Sequence, residues 1–317
     1  MCIRDSYYLP QLPATEDILK IPLSIPLRIY TNEGELIAEF GEKRRVPVAI
    51  EDTPQDLLNA ILAAEDSNFY DHSGVDFTSI IRALVANLRS GGHGQGASTV
   101  TMQVARNYFL TREKTYTRKF KEVLLSFKLE KQLDKQQILE LYVNKIFLGH
   151  RSYGFGAASL VYYGKTLNEL DLAQLAMLAG LPKAPSSNNP ISNPVRAIER
   201  RNYVLSRMHT LGYITTEQYE AAKASIITAK KYSTIPDIRA PYIAEMVRDY
   251  RVENYGEEQT YTAGYKVFTT IKADYPRAAS QSLFNGLVTY DERHGFRGPI
   301  GHVTVDSSTD KDLSLIH

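Results

Sequence analysis

The chain has 317 residues, of which 43% are hydrophobic. This length predicts about two domains with a packed core. The net charge of +1 at pH 7 excludes the overall basic excess typical of nucleic-acid-binding proteins. Cys2 is the only cysteine, so no internal disulfide forms. No apolar run reaches the roughly 18 residues of a membrane-spanning helix, and the opening MCIRDSYYLPQLPATEDI does not fit a signal peptide.

A β-hairpin is predicted over residues 27–48, where two alternating runs flank Asn32-Glu33-Gly34. Beyond it, apolar residues recur at helical spacing, and Ser98 or Thr99 can cap one helix. Further helices are predicted from Pro54 to Glu65 and at 77–88, 116–133, 138–148, 170–181, 194–209, 215–228, 241–256 and 274–290, with a strand at 264–271. The pattern is that of a mainly α protein.

The first of three polar clusters is EDSNFYDHSG at residues 65–74, where an apolar helix ends near a glycine turn. A carboxylate in that position, Glu65, can project into a cleft and act as a general base. Taken alone, Glu65 is more simply a surface acid, His72 a structural hydrogen-bonding residue and Phe69 a core residue.

The second cluster is GQGASTVTMQVARN at residues 94–107. Thr99, Gln103 and Arg106 lie at i, i+4 and i+7 on one helix face, with Asn107 beside them. Hydroxyl, amide and guanidinium groups suit phosphate oxygens or sugar hydroxyls, and the glycines let backbone N–H groups approach an anion at the helix start. The alternative is a capped helix with a polar outer face.

The third cluster is RKFKE at residues 118–122, in which Lys114, Arg118 and Glu122 repeat every four residues. Residues 106–122 hold six basic and two acidic side chains, a net charge of 6 − 2 = +4. This charge favours a phosphate or polyanion site. The alternative is a surface salt-bridge ladder worth roughly a few tenths of a kcal/mol.

Together, the clusters resemble the peptidoglycan glycosyltransferase domain of class A penicillin-binding proteins. Five stretches match that family's motifs in order: EDSNFYDHSG, GASTVTMQVARN, RKFKE, KQQILELYVNKIFLG and RSYGFGAASLVYYGK. GELIAEFGEKRRVPV, GLPKAP and DERHGFRGP are further similar to the 1A subclass of Gram-negative bacteria. Met102 departs from the family, which usually has glutamine there, so one polar contact is in question.

The resemblance implies a lysozyme-like α domain with two lobes around a long cleft. Its substrates would be lipid II and a nascent glycan strand linked to undecaprenyl pyrophosphate. Glu65 would deprotonate the acceptor 4-hydroxyl, which attacks the anomeric carbon of the donor with inversion to form a β-1,4 bond. No organic cofactor is implied.

The resemblance also implies roles for the other motif residues. The departing pyrophosphate would be stabilised by Arg106, Lys114 and Arg118 together with a divalent metal, Mg or Mn. Glu122 would orient these cations or bind that metal. Six residues would shape the two sugar sites: Asp66, Phe69, His72, Thr99, Gln103 and Asn107.

By the same resemblance we expect the enzyme at the bacterial inner membrane, with its catalytic domain in the periplasm and an anchor absent from this chain. The 77–88 helix would dip into the membrane surface, with core packing as the alternative. Further partners would be an outer-membrane lipoprotein activator and the cell-elongation machinery, and no nucleic acid is expected.

The resemblance completes the domain prediction, which has five segments. The expected segments are an irregular, partly non-native lead-in at 1–26, the hairpin at 27–48, the glycosyltransferase domain at 49–230, a linker region towards the missing transpeptidase at 231–290, and a truncated OB-like start with a non-native tail at 291–317. Ser308 to Lys311 spells S-x-x-K, but no K-T-G follows, so no transpeptidase activity is expected.

Two other functions stay open from the sequence. A lytic transglycosylase or lysozyme-type hydrolase shares the lysozyme-like fold and a catalytic glutamate, although cleaving a neutral glycan needs no basic cluster. A non-catalytic glycan-binding module is the other alternative, and the presence of every matched acid argues against it.

Overall fold

The computed structural model of the chain describes residues 12–13, 15, 18–21, 23–41, 43–82, 98–110, 115–232 and 237–295. Lys114, the end segments and the second half of the predicted 77–88 helix lie outside these ranges, and residues 77–82 are helical. The structure is mainly helical with one small sheet. This confirms the predicted fold class.

Eight helices with complete bounds in the described residues up to 232 build the main body, together with the helical residues 77–82. They are α1 (Gln55–Glu65), α2 (Val100–Phe109), α3 (Tyr116–Gln132), α4 (Lys135–Lys145), α5 (Phe155–Tyr163), α6 (Leu172–Gly180), α7 (Pro194–Thr210) and α8 (Thr216–Ala224). A short 3₁₀ helix, Leu167–Glu169, precedes α6.

The first helix lies at the centre of the main core because its side chains are apolar on almost every side. Its buried residues are Leu57, Leu58, Ala60, Ile61, Leu62 and Ala63. A helix with apolar residues all round is stable in water only when it is enclosed, and α1 packs against α6 and α7, while α2 packs against α3 and α4. The C-terminal end of α1 is thereby held inside the helical body.

Polar caps determine where several helices begin. Asp134, Asp171 and Thr215 each form a reciprocal capping box with the glutamine three residues later. The 138–148 prediction therefore started late: the first turn of α4 is polar, and its apolar pattern appears only at Ile138.

A small sheet joins the two ends of the described chain. Strand β1 (Leu27–Tyr30) pairs antiparallel with β2 (Leu36–Phe40) and parallel with β3 (Lys266–Phe268), in the order β2-β1-β3. Gly34 in the turn between β1 and β2 has a φ of 91°, a conformation that glycine adopts without steric cost.

Three further helices follow the main body: α9 (Pro241–Tyr255), α10 (Glu257–Thr262) and α11 (Asp274–His294). α9 packs on β2 and α10 on β1. A second apolar cluster holds this unit together and is formed by Leu27, Ile29, Ile37, Ile238, Ala240, Ala244 and Ala273.

The predicted domain segments 27–48 and 231–290 therefore meet in one sheet and one core. Apolar alternation identifies a strand, but it does not identify a partner that lies far away in the chain. The pairing of β1 with β3 is thus a result of the tertiary structure.

A side-chain amide fastens the segment after the hairpin to the main body. Asn144, near the end of α4, accepts a hydrogen bond from the Val48 N–H and donates one to the Val48 carbonyl, both at 2.8 Å. Asn144 thereby acts as a paired strand residue would, and satisfies two backbone groups at once.

We predict that Asn144→Ala lowers the free energy of unfolding by about 2 kcal/mol, because both Val48 backbone groups lose their partner. Chemical denaturation of the two proteins measures the difference. Asn254→Ala is the matched control, since the Asn254 amide makes a hydrogen bond at an exposed position, and its effect should stay within about 0.5 kcal/mol. Equal losses in the two variants would contradict the prediction.

Candidate active site

A cleft of about 590 Å³ opens where the end of α1, the start of α2, the loop after α6 and one face of α7 meet. Its charged lining consists of the basic residues Arg82, Arg106, Lys183, Arg200 and Arg207 and the acidic residues Glu65, Asp66 and Asp76. Cations therefore outnumber carboxylates around the cleft, which favours an anionic ligand.

Glu65, the last residue of α1, presents its carboxylate to this cleft. The side chain is 13% exposed. Its Oε2 accepts a hydrogen bond of 2.9 Å from Nε2 of Gln103, and its Oε1 lies 3.4 Å from Nη2 of Arg200. The carboxylate is thus held from one side by α2 and from the other by α7.

Two opposing effects set the proton affinity of this group. Burial raises the pKa of Glu65. The hydrogen bond from Gln103 opposes that rise and lowers the pKa, and so do the charges of Arg200, Lys183 and Arg106. A largely buried carboxylate with a raised pKa is a stronger base than one in water, and the nearby cations favour its ionised form.

Asp66 supports the site, because its carboxylate binds the start of α2. Its Oδ2 accepts a hydrogen bond of 2.9 Å from the Val100 N–H. Both of its oxygens lie 3.1 Å from Nε2 of His72. The Gly74 N–H donates a hydrogen bond to Nδ1 of His72 at 3.1 Å. The ring proton is therefore on Nε2, which donates a hydrogen bond to the Asp66 carboxylate.

Thr99 is the N-cap of α2. The sequence predicts either Ser98 or Thr99 in this position, and the structure selects Thr99. Its hydroxyl accepts a hydrogen bond from the Met102 N–H at 3.1 Å and donates one of 2.6 Å to the Gly74 carbonyl. Because the cap fixes the first turn of α2, it also fixes the direction in which Gln103 and Arg106 point into the cleft.

Phe69 and His72 are predicted to shape the sugar sites, and the structure shows what each of them contacts. Phe69 belongs to the main core and contacts His72 edge-to-face, with Lys135 over its ring. Neither residue is among the described residues that line the cleft. Their contacts stabilise the 65–74 loop, since an apolar ring at this position is drawn into the core.

Glu122 is 1% exposed and lies on α3 behind the cleft. One carboxylate oxygen pairs with Arg118 and the other with Nζ of Lys119 at 2.9 Å. Nζ of Lys119 also donates to the Ser98 hydroxyl, which lines the cleft, at 2.7 Å. Burial lowers the pKa of Lys119 to about 8, and the charges of Arg106 and Arg118 add to this effect.

Glu122 does not fit the predicted divalent metal. Both of its oxygens are occupied by cationic side chains, whose charges repel a metal ion. Among the residues that the structure describes, no group of three or more His, Cys, Asp or Glu side chains could hold one. The carboxylate is suited instead to orienting Arg118 and Lys119.

The other predicted residues divide between the cleft and its surroundings. Five line the cleft: Glu65, Asp66, Thr99, Gln103 and Arg106. Asn107 and Arg118 are outside the described lining, and Lys114 is outside the described residues.

Sequence reasoning missed the contribution of α7 and of the loop before it. Arg200, Tyr203 and Arg207 line the cleft together with Lys183. The three α7 residues stand at i, i+3 and i+7, which is the spacing of one helix face, so this signal was present in the sequence. It remained unrecognised because the face becomes functional only where α7 passes the end of α1.

The architecture and the cleft agree with the comparison to protein families. The family described as transglycosylase matches residues 33–209 of this chain. The chain belongs to the transglycosylase family, which confirms the resemblance carried by the five motifs.

The individual relatives that match this chain include penicillin-binding proteins of the 1A type. Penicillin-binding protein 1A of Pseudomonas aeruginosa is 53% identical over 293 residues, which are 92% of this chain and 36% of that protein. Penicillin-binding protein 1A of Escherichia coli is 48% identical over 92% of this chain, which corresponds to 34% of the length of that protein. A crystal structure of penicillin-binding protein 1A from Haemophilus influenzae matches with a TM-score of 0.53 and 37% sequence identity. The match covers 91% of this chain and 34% of that one. The chain thus spans about a third of the length of the curated relatives it matches.

The described part of the predicted 77–88 helix faces outward at two positions. Phe77 and Ile81 are 62% and 63% exposed, and they lie one turn apart on residues 77–82. No helix in the described ranges is both long and apolar enough to cross a membrane.

Asp76 precedes these helical residues and caps them. Its Oδ1 accepts hydrogen bonds from the Ser79 N–H at 3.0 Å and the Thr78 hydroxyl at 2.6 Å, and its Oδ2 accepts one from Asn68 at 3.0 Å. Burial alone would raise the pKa of Asp76, but these hydrogen bonds outweigh it and hold the pKa well below its usual value.

A pH-dependent stability follows from Asp76. Because its folded pKa is depressed, its contribution is present above the unfolded pKa of about 3.8 and is lost as the pH falls through that value towards the folded one. We expect Asp76→Ala to cost about 1 kcal/mol at pH 7, and less at pH 3. Denaturation midpoints at both values measure it. Asp52→Ala, at an exposed position, is the control, and a cost at residue 76 that does not change with pH would contradict the prediction.

Proposed function

We propose that the chain is a peptidoglycan glycosyltransferase of bacterial cell wall synthesis, which polymerises lipid II into β-1,4-linked glycan strands with release of undecaprenyl pyrophosphate. The observation that carries the proposal is the position of Glu65. It is a largely buried carboxylate with a raised pKa, and it faces a cleft lined by five basic side chains. A base and an anion site at one place suit the transfer of a sugar from a phosphate.

In this reaction Glu65 removes the proton from the acceptor 4-hydroxyl as that oxygen attacks the anomeric carbon of the donor. The hydroxyl is far too weak an acid to ionise beforehand, so proton removal accompanies C–O cleavage. Attack from the side opposite the leaving group inverts the configuration, and the electron pair of the broken bond leaves with the pyrophosphate.

The leaving pyrophosphate gains negative charge, and basic side chains stabilise that charge best in the transition state. Arg106 lies in the cleft itself, and Lys119 reaches its wall through Ser98. Glu122 pairs with both Arg118 and Lys119 and so orients these two cations. Lys114 would add a further charge.

The rival function is glycan cleavage by a lytic transglycosylase or a lysozyme-type hydrolase. It would use the same glutamate but acts on a neutral glycan, for which five cations around the cleft serve no purpose. A non-catalytic glycan-binding module does not need a buried carboxylate with a raised pKa. The charge of the cleft therefore favours the transferase.

The membrane surface is the proposed place of action, because the lipid-linked donor resides there. Exposed Phe77 and Ile81 are suited to the apolar side of such a surface. We accordingly propose location at the inner membrane with the cleft in the periplasm, where a lipoprotein activator and the elongation machinery would act.

We predict that Glu65→Gln lowers glycan synthesis from lipid II by about 10²–10⁴-fold, because the general base is lost. Gel analysis of glycan products measures the activity, and circular dichroism measures folding. Glu51→Gln makes the same chemical change at an exposed position and should leave activity unchanged. Near-normal synthesis by a folded Glu65→Gln protein would refute the assigned base.

The basic side chains separate the transferase from the hydrolase. Arg106→Ala and Arg118→Ala should each lower turnover of lipid-linked donors by about 10²-fold, since each removes a charge that the leaving group needs. Lys131→Ala removes an exposed charge from the same helix as Arg118 and is the control.

A hydrolase would give the opposite result in two assays. It would release sugars from purified sacculi without any lipid-linked substrate. Its arginine variants would cleave normally and show only a small loss of stability. Either result, obtained with well-folded protein, would reject the pyrophosphate assignment.

A further inference from the structure

We propose that Arg200 is a positioning residue for Glu65, which keeps the carboxylate ionised and aimed into the cleft before each transfer. This role rests on the proposed function, because it presupposes that Glu65 is the base. It differs from the roles given to Arg106 and Arg118, which act on the leaving group.

The guanidinium of Arg200 is held by three contacts from three directions. Its Nη2 lies 3.4 Å from Oε1 of Glu65. Its Nε donates to the Gly180 carbonyl at the end of α6, at 3.3 Å. Its Cζ lies 4.6 Å from the ring centre of Tyr203, one turn further along α7. A side chain fixed in this way presents its charge in a single direction.

Gly180 provides the space for this arrangement. A Cβ atom at position 180 would lie 3.0 Å from Cγ of Arg200, closer than such contacts ordinarily come. The absence of a side chain at the end of α6 therefore lets the stem of Arg200 pass and reach Glu65. The site thus depends on the local packing of α6, α7 and the end of α1.

Among the charged groups around Glu65, Arg200 has the largest effect on its carboxylate. The charged groups that face the carboxylate are Arg200 from α7, Lys183 from the loop after α6 and Arg106 from α2, in decreasing order of effect. The buried Tyr142 from α4 and the neighbouring Asp66 are the other titratable groups there. The guanidinium of Arg200, 11% exposed, is little screened by water.

The loose geometry of the contact has a catalytic consequence. A bidentate arginine pair would hold the carboxylate ionised so strongly that it would be a poor base. Arg200 touches one oxygen only, and at 3.4 Å rather than at close hydrogen-bond distance. Arg200 thereby favours the ionised form of Glu65 while leaving its basicity largely intact.

The test is the pH profile of kcat/KM for glycan synthesis by the full chain, since its acid limb reports the pKa of the base in the free enzyme. In Arg200→Gln, which removes the charge, we expect that limb to move to higher pH by about one unit. Arg200→Lys keeps a charge and should restore part of the shift. Arg196→Gln, at an exposed position on the same helix, should leave the limb in place.

Three outcomes are informative. A shift in Arg200→Gln that Arg200→Lys partly reverses supports the role. A rate that falls equally at every pH, with the limb unmoved, overturns it and makes Arg200 a ligand contact or a structural residue. Glu65→Gln is measured in parallel: if that variant remains active, the proposed function has failed, whereas an inactive Glu65→Gln with an unmoved Arg200 limb rejects only the present inference.

Discussion

The burial of one carboxylate at the end of an apolar helix is the constraint on which the site depends. α1 is apolar on nearly all sides, so it must be enclosed, and its last residue, Glu65, is drawn out of bulk water with it. A buried charge is costly unless hydrogen bonds and opposite charges compensate it. Gln103 and Arg200 provide that compensation from two other helices, which ties the placement of α2 and α7 to this single group.

The cations near the cleft fall into two sets with different partners. Arg200 faces the carboxylate of Glu65, whereas Arg118 and Lys119 are paired with Glu122 behind the cleft. Arg106 lies between the sets, because its charge lowers the pKa of both Glu65 and Lys119. The two sets are therefore separate in their contacts but coupled through the charge of Arg106.

Prediction from the sequence worked best where apolar periodicity decides the structure. The helices that became α3, α6 and α7 were located to within about two residues of each end, because their buried stripes are continuous. The first turn of α4 was missed, since it is held by a capping box and not by apolar contacts. For Phe69 the residue pattern alone predicts a core position, which the structure confirms, whereas its sugar-site role comes only from the resemblance and stays a prediction.

By itself, the sequence determined the mainly helical architecture, the family, and Glu65 as the candidate base, because these depend on local spacing and on motifs within about 100 residues. Tertiary structure alone decided that β1 pairs with β3 and that Arg200 faces Glu65. Both contacts join positions far apart in the chain. No local sequence pattern predicts these long-range contacts, because they form only when the apolar faces of separate elements pack together.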